Sequence, residues 1–407
     1  MPSTSKRSQN AYASPIRKLA PFALAAEAKG RKVYYLNIGQ PDILTPKSAL
    51  RAVQNLTEKV VKYAPAEGLS SYRQKLTGYY AEHGIAVGAQ DIMITTGASE
   101  AIFFAMMACL DEGDEVIVPE PFYAIYNGFA EVAKVKIRPI TSSISDGFQL
   151  PDAEAFESVI NEKTKAILIC NPNNPTGCVY AGQALAALGA LVRKHDLFLI
   201  ADEVYREFCY DGQVFHSVLN LPGLSEHAVV IDSISKRFSS CGARVGALVT
   251  RNKDIHERAV KYARFRLSPP VLGQILAEGT LDETPEYMTS VKAAYAERRE
   301  LLYKRLSGIE GVRCYLPGGA FYCFVKLPIA DAEHFCQWIL EEFEYEGQTV
   351  MLAPGAGFYA TEGLGKDEIR IAYVLNVEDL NRAMDCLEAA LSFYRTKVRP
   401  ASAVFPA

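Results

Sequence analysis

Lys236 lies in the run Ser233-Ile234-Ser235-Lys236-Arg237-Phe238-Ser239-Ser240-Cys241-Gly242-Ala243-Arg244. A lysine among small and hydroxylated residues, with an arginine eight positions on, can form an imine with an aldehyde cofactor. The hydroxyls of Ser233 and Ser235 can share a phosphate with Arg244, whose planar fork donates two parallel hydrogen bonds. Taken alone, Lys236-Arg237 reads more simply as a basic loop. The rest of the chain reverses that preference.

Six short apolar runs, 91–95, 115–119, 165–170, 197–201, 228–231 and 245–250, are candidate strands. They alternate with helical stretches and are apolar almost throughout, which predicts an α/β fold with a largely parallel sheet covered on both faces. Five of them run straight into polar or Gly/Pro-rich chemistry. These ends are Thr96-Gly97-Ala98-Ser99-Glu100, Glu120-Pro121-Phe122-Tyr123, Asn171-Pro172-Asn173-Asn174-Pro175-Thr176-Gly177, Asp202-Glu203-Val204-Tyr205 and the Asp232–Lys236 segment. Ligands of open α/β sheets sit beyond the carboxyl ends of strands, so five such ends point at one pocket. Singly, each has a plainer reading. Gly97-Ala98-Ser99 is a common helix start, Asp202 a turn carboxylate, and Tyr63 or Tyr123 a packed core aromatic.

Length and texture set the frame for that pocket. With 407 residues, the chain has room for one large domain and a smaller one. After residue 284 the pattern changes: 287–306 reads as a long charged helix, and 311–328 and 368–375 as strands of an α+β unit. The expected division is an N-terminal segment, 1–45, joining the small domain, a large cofactor-binding domain over 46–284, and a small domain over 285–407. A formal charge of −4 gives no reason to expect nucleic acid or an anionic membrane as partner. Nine scattered cysteines without Cys-x-x-Cys argue against a disulfide framework and against a zinc site, and no metal is expected. The polar start and the lack of a bilayer-length apolar run predict a soluble, cytoplasmic protein.

Asn174-Pro175-Thr176-Gly177, Asp202 with Tyr205, Lys236, Arg244 and Arg370 in Glu368-Ile369-Arg370-Ile371-Ala372-Tyr373 form an ordered set. In that set the chain resembles the fold type I pyridoxal phosphate (PLP) enzymes, and among them the class I and II aminotransferases of the aspartate aminotransferase superfamily. The likeness runs from Ser14-Pro15-Ile16-Arg17 to the helices past Arg370. It implies a mostly parallel seven-stranded sheet between helices, plus a smaller α+β domain. It implies that Lys236 bonds the cofactor, that Asn174 and Tyr205 meet its 3-hydroxyl, and that Tyr123 lies over its ring. Asp202 would pair with the ring nitrogen and keep it protonated, so that the ring can accept substrate electrons. Gly97, Ala98, Ser99, Ser233, Ser235 and Arg244 would cup the phosphate, with Tyr63 reaching that of a neighbouring subunit.

On the substrate side the resemblance points to Arg370 as a bidentate clamp for the α-carboxylate, helped by Asn174, Gly39 and Phe321. An arginine inside an apolar strand is costly unless it finds an anion, which favours that role. The implied enzyme is a homodimeric, PLP-dependent aminotransferase with shared active sites. It would move an amino group from an L-amino acid to a 2-oxo acid by a ping-pong route, with Lys236 as general base and acid. Aspartate and 2-oxoglutarate are candidate substrates. Two departures bear on that choice. Arg264 and Arg266 are the other arginines considered for a second carboxylate, and a surface position is expected for both; and Ser99 stands where some aspartate-specific members carry lysine. A fold type I lyase, of the carbon–sulfur β-lyase or aminocyclopropane-carboxylate synthase kind, would share every cofactor residue. A PLP-binding regulatory module would need a DNA-binding pattern that the segment before residue 46 lacks. The likeness also implies cis peptide bonds at Glu120–Pro121 and Asn174–Pro175.

Overall fold

The computed structural model describes residues 2–9, 11–12 and 14–397. In chain order the strands are β1 (Lys32–Tyr35), β2 (Ile92–Thr95), β3 (Glu115–Glu120), β4 (Lys136–Thr141), β5 (Thr164–Cys170), β6 (Phe198–Asp202), β7 (Ala228–Ser233) and β8 (Gly246–Val249). They continue with β9 (Arg313–Cys314), β10 (Tyr322–Lys326), β11 (Gln348–Met351), β12 (Ala353–Pro354) and β13 (Glu368–Ala372). The large sheet has seven strands in the order β2-β8-β7-β6-β5-β3-β4, and only β8 runs against its neighbours.

Alternation along the strands explains why both faces are covered. Ile167 and Ile169 pack with the helices Ser70–Glu82 and Gly182–Lys194 on one side. Ala166 and Leu168 pack with Gly97–Cys109 and Lys253–Phe265 on the other. All six strands expected from the sequence are present. The seventh, β4, was not among the candidate runs because it is an edge strand: Lys136-Ile137-Arg138-Pro139-Ile140-Thr141 is mostly half-buried or exposed and carries a proline. Charges and proline are tolerated at an edge, where one row of backbone groups needs no partner.

The remaining strands form a four-stranded antiparallel sheet, β12-β13-β10-β9, and a parallel pair, β1-β11. The long helix Pro285–Ser307 and the helices Ala332–Glu341 and Val377–Lys397 cover them. The chain before residue 45 returns to this part of the molecule: Lys32 to Tyr35 register with Gln348 to Met351. Among the described residues no helix is long and apolar enough to cross a membrane, and no cluster of metal-ligating side chains occurs.

Among the described residues the cis bonds are Glu120–Pro121, as expected, and Asn171–Pro172. Asn174–Pro175 is not cis, which corrects the second expectation. The cis bond falls where the chain leaves β5, with Asn171 N–H bonded to the Asp202 carbonyl. Around Pro175 the chain instead makes a side-chain-closed turn, in which Asn173 Oδ1 accepts from the Thr176 N–H at 3.2 Å.

Candidate active site

Strand register brings the candidate residues to one edge of the large sheet. Thr95 and Ser233 both register with Gly246, and Cys170 registers with Asp202. Past that edge lies a cavity of about 560 Å³. Lys236 lines it from the short helical turn Ile234–Arg237, which follows β7 directly, and its Nζ donates to the Gly39 carbonyl at 2.6 Å. Ser233 caps that turn: its Oγ accepts from the Ser235 N–H at 3.1 Å and donates to the Val245 carbonyl at 2.9 Å. Gly39 comes so close to Tyr322 that an added Cβ would sit 1.8 Å from the phenol oxygen. Only glycine fits there.

An anion cup forms where Arg244 meets the start of the helix Gly97–Cys109. Gly97 has φ +74°, and a Cβ on it would lie 2.5 Å from the Arg244 guanidinium. Gly97 therefore does not line the cavity but makes room for the arginine, while Ala98 and Ser99 do line it. Arg244 itself holds a left-handed backbone, φ 54°, and donates to the Cys241 carbonyl at 3.0 Å. No carboxylate of the described residues pairs with it. Free N–H groups at a helix start and an unpaired guanidinium together favour a multiply charged anion.

Asp202 is buried at the end of β6. The Tyr126 hydroxyl donates to its Oδ2 at 2.8 Å, and the Val204 N–H reaches its Oδ1 only at 3.4 Å. Burial pushes the carboxyl up to about 6, against the partial relief that these two donors give. Tyr205 and Tyr322 share a hydroxyl–hydroxyl bond of 2.9 Å on the same wall. Tyr123 is half-buried, meets Tyr126 edge-on with ring centroids 5.5 Å apart, and is pushed by burial up to about 12.

Arg370 enters from β13, fully buried, with neutral partners only. It donates to Asn174 Oδ1 at 2.9 Å and to the Asn37 carbonyl, and it lies over the Tyr322 ring at 4.6 Å. Its Nε has no partner, and burial pulls its pKa down. A buried guanidinium with neutral partners only is costly, which favours an anion as its ligand.

The cavity thus brings together Lys236, Gly39, Ala98, Ser99, Tyr123, Asn174, Asp202, Tyr205, Ser233, Ser235, Arg244 and Arg370. Besides Gly97, two expected residues stand apart. Phe321 is wholly buried among Tyr205, Phe208 and Tyr295 and does not line the cavity; Tyr322, the next residue, does. Tyr63 is 79% exposed and borders a separate groove with Thr96, Arg266 and Leu272. Arg264 is exposed, as expected. Arg266 is half-buried rather than free at the surface: it pairs with Glu100 at 3.0 Å and donates to the Ala66 and Ile94 carbonyls, bracing the helix behind the anion cup. Among the residues that the sequence did not single out, Tyr322 and Arg17 line the cavity and Tyr126 bonds to Asp202. Tyr126 had one available signal, its place three residues after Tyr123, at the start of the next helix.

This donor set fits PLP. A primary amine, a buried carboxylate with no cation of its own, and an anion cup face one space, and Lys236, Asp202 and the cup are what an aldehyde, a ring nitrogen and a phosphate require. Comparison with known proteins agrees. Residues 31–387 match the family described as aminotransferase class I and II. The aspartate aminotransferase of Bacillus subtilis is 30% identical over 385 residues, covering 91% of this chain and 95% of the relative. The crystal structure of aspartate aminotransferase from Thermotoga maritima superposes with a TM-score of 0.87 at 31% identity, covering 96% of this chain and all of the other. Alanine aminotransferase from Pyrococcus furiosus gives 0.86 at 28% identity, with 96% and 100% covered. The chain belongs to the class I and II aminotransferases, PLP-dependent enzymes of fold type I.

Proposed function

We propose that the enzyme transfers the amino group of an acidic L-amino acid, aspartate foremost, to 2-oxoglutarate, acting as a homodimer in a reducing, cytoplasmic setting. The observation that carries the reading is Arg370, a buried guanidinium without a carboxylate in the cavity that also holds the Lys236 amine. Its fork suits an α-carboxylate held bidentately. Bound PLP supplies an electron sink that makes the substrate's α-proton removable. Asp202 sustains this by holding a proton at the ring nitrogen, and Asn174 and Tyr205 orient the ring through its hydroxyl. Ser233, Ser235, Arg244 and the N–H groups of Ala98 and Ser99 anchor the phosphate. Lys236 Nζ, released from its carbonyl partner, would take the proton from the substrate's Cα and deliver it to the cofactor's aldehyde carbon, as general base and then acid. Residues 46–284 would hold the cofactor while 1–45 and 285–407 bring in Arg370, so that an α-carboxylate draws the two parts together.

Support for the dimer comes from an apolar belt around Tyr63: Val60, Val61, Phe265, Leu267 and Leu272 are all exposed large hydrophobics. A second copy seated there would let Tyr63 reach the partner's anion cup. Nine free thiols support the reducing setting.

The test is a single-turnover reaction of the holoenzyme with a panel of amino acids. One 2-oxo acid per active site without ammonia, fastest with aspartate, is expected, and Lys236→Ala should lose about 10⁴-fold in rate. Ammonia released in step with the oxo acid would make the enzyme a lyase instead.

A further inference from the structure

We infer that Arg17 is a second carboxylate-binding group of the cavity and selects amino acids and 2-oxo acids with an acidic side chain. The inference rests on the transamination reading above and names the group that would recognise the substrate's far end. Arg17 lines the same cavity as Lys236 and Arg370. It is exposed and, among the described residues, has neither an ion pair nor a side-chain hydrogen bond, whereas its neighbour Lys18 pairs with Glu333.

Its backbone is held in place. The Ile16 carbonyl accepts from Asn37 Nδ2 at 3.0 Å, and the carbonyl of that same buried Asn37 accepts from the Arg370 guanidinium. One asparagine therefore ties the segment bearing Arg17 to the arginine proposed for the α-carboxylate. Upstream, Pro15 packs so tightly on Gly357 that a Cβ there would lie 2.3 Å from its ring. The Tyr12 hydroxyl donates to the Gly357 carbonyl at 3.2 Å, and the Tyr12 N–H donates to Glu131 at 2.8 Å. A flexible surface arginine would not need such anchoring. The phenol of Tyr123 also feels both guanidiniums, Arg370 and Arg17, which places it within electrostatic reach of each.

Charge matching leads to the same group. The cavity wall carries Arg17, Lys236, Arg244 and Arg370 against one acid, Asp202. In the proposed roles Arg244 faces the phosphate, Arg370 the α-carboxylate, and Lys236 and Asp202 the cofactor ring. Arg17 is the cation left over, and a side-chain carboxylate is the group that would match it. A monocarboxylic substrate leaves it unmatched.

The experiment compares wild type, Arg17→Ala and Arg17→Lys as holoenzymes. It reads the ratio of kcat/KM for aspartate to that for alanine, and the affinity for succinate, an unreactive dicarboxylate, relative to butyrate. Arg17→Ala should lower the first ratio about 100-fold, mostly through KM, and the succinate preference by a similar factor. Arg17→Lys should restore part of both. An equal loss for alanine and aspartate would overturn the inference, since Arg17 would then serve the α-carboxylate or domain closure. Unchanged ratios would overturn it as well. If wild type transaminates no amino acid, the transamination reading falls by itself; succinate binding that still depends on Arg17 would leave the dicarboxylate subsite standing.

Discussion

Two clusters of buried charge sit side by side at the ends of β6 and β7, and they are built on opposite plans. In one, Asp232 meets Arg237 at 2.6 Å, Arg206 at 3.5 Å and the Tyr80 hydroxyl at 2.7 Å. Glu203 adds bonds to Ser217, the Val218 N–H and Arg206, and Arg237 lies over the Tyr79 ring at 4.4 Å. In the other, Asp202 has one phenol and a long backbone contact, and Arg370 has only neutral oxygens. The electrostatic results differ in sign at the two aspartates, although burial also pushes Glu203 of the first cluster up, to about 7. Burial works to raise both carboxyls, but Arg206 and Arg237 outweigh it at Asp232 and hold it well below its ordinary range. At Asp202 burial wins. Matched charge marks the scaffold under Lys236; unmatched charge marks what is kept for ligands.

The strongest way to break this contrast is Asp232→Ala. It leaves the buried Arg237 without a carboxylate and Arg206 with Glu203 alone, so a loss of about 3–5 kcal/mol in unfolding free energy is expected. Denaturant unfolding of the cofactor-free chain measures it. A loss under about 1 kcal/mol would mean that the network is not what holds the Lys236 turn in place.

Arg370→Lys probes the other cluster and should behave in the reverse way. The charge remains but the fork is lost, so kcat/KM for every amino acid should fall about 10²-fold or more. Unfolding free energy should move by no more than about 1 kcal/mol, because no matched pair is broken. A stability loss as large as that of Asp232→Ala would return Arg370 to the scaffold.

The unmatched cluster was the legible one. Lys236, Asp202 and Asn174 stood out because polar chemistry follows several apolar strands in succession, and Arg370 because an arginine inside an apolar strand is costly without an anion. The strands followed from unbroken apolar runs, except β4, whose edge position removes the burial that makes such runs. The scaffold cluster was not legible. Nothing local says that Asp232 faces Arg206 and Tyr80, since those partners are brought together only by strand pairing and by the helix Ser70–Glu82. Phe321 and Tyr322 failed as a pair for a related reason. Both are fully buried, so polarity along the chain gives no hint of which ring reaches the cavity. Tyr63 lies outside what one chain can decide, because its proposed role needs a second copy.

Asp202 sharpens the comparison most finely, through a gain in stability. Its folded-state pKa, about 6, stands above the ordinary 3.8. Below about pH 3.8 the carboxyl is protonated in both folded and unfolded chains, and its burial carries no electrostatic penalty. As the pH rises through 6 the folded chain must hold a buried carboxylate, and stability is lost. The difference of roughly 2 units corresponds to about 3 kcal/mol, fully expressed above pH 7. Asp202→Asn keeps an acceptor for the Tyr126 hydroxyl and never ionises. The cofactor-free variant should therefore unfold about 2–3 kcal/mol later than wild type at pH 8, with the gain vanishing below pH 4. Adding PLP should narrow or reverse the difference, because only the carboxylate can match a protonated ring nitrogen and ligand binding adds to folded-state stability. If cofactor-free wild type proves the more stable chain at pH 8, Asp202 is already satisfied by the protein, and the distinction between scaffold and site charge fails at its clearest point.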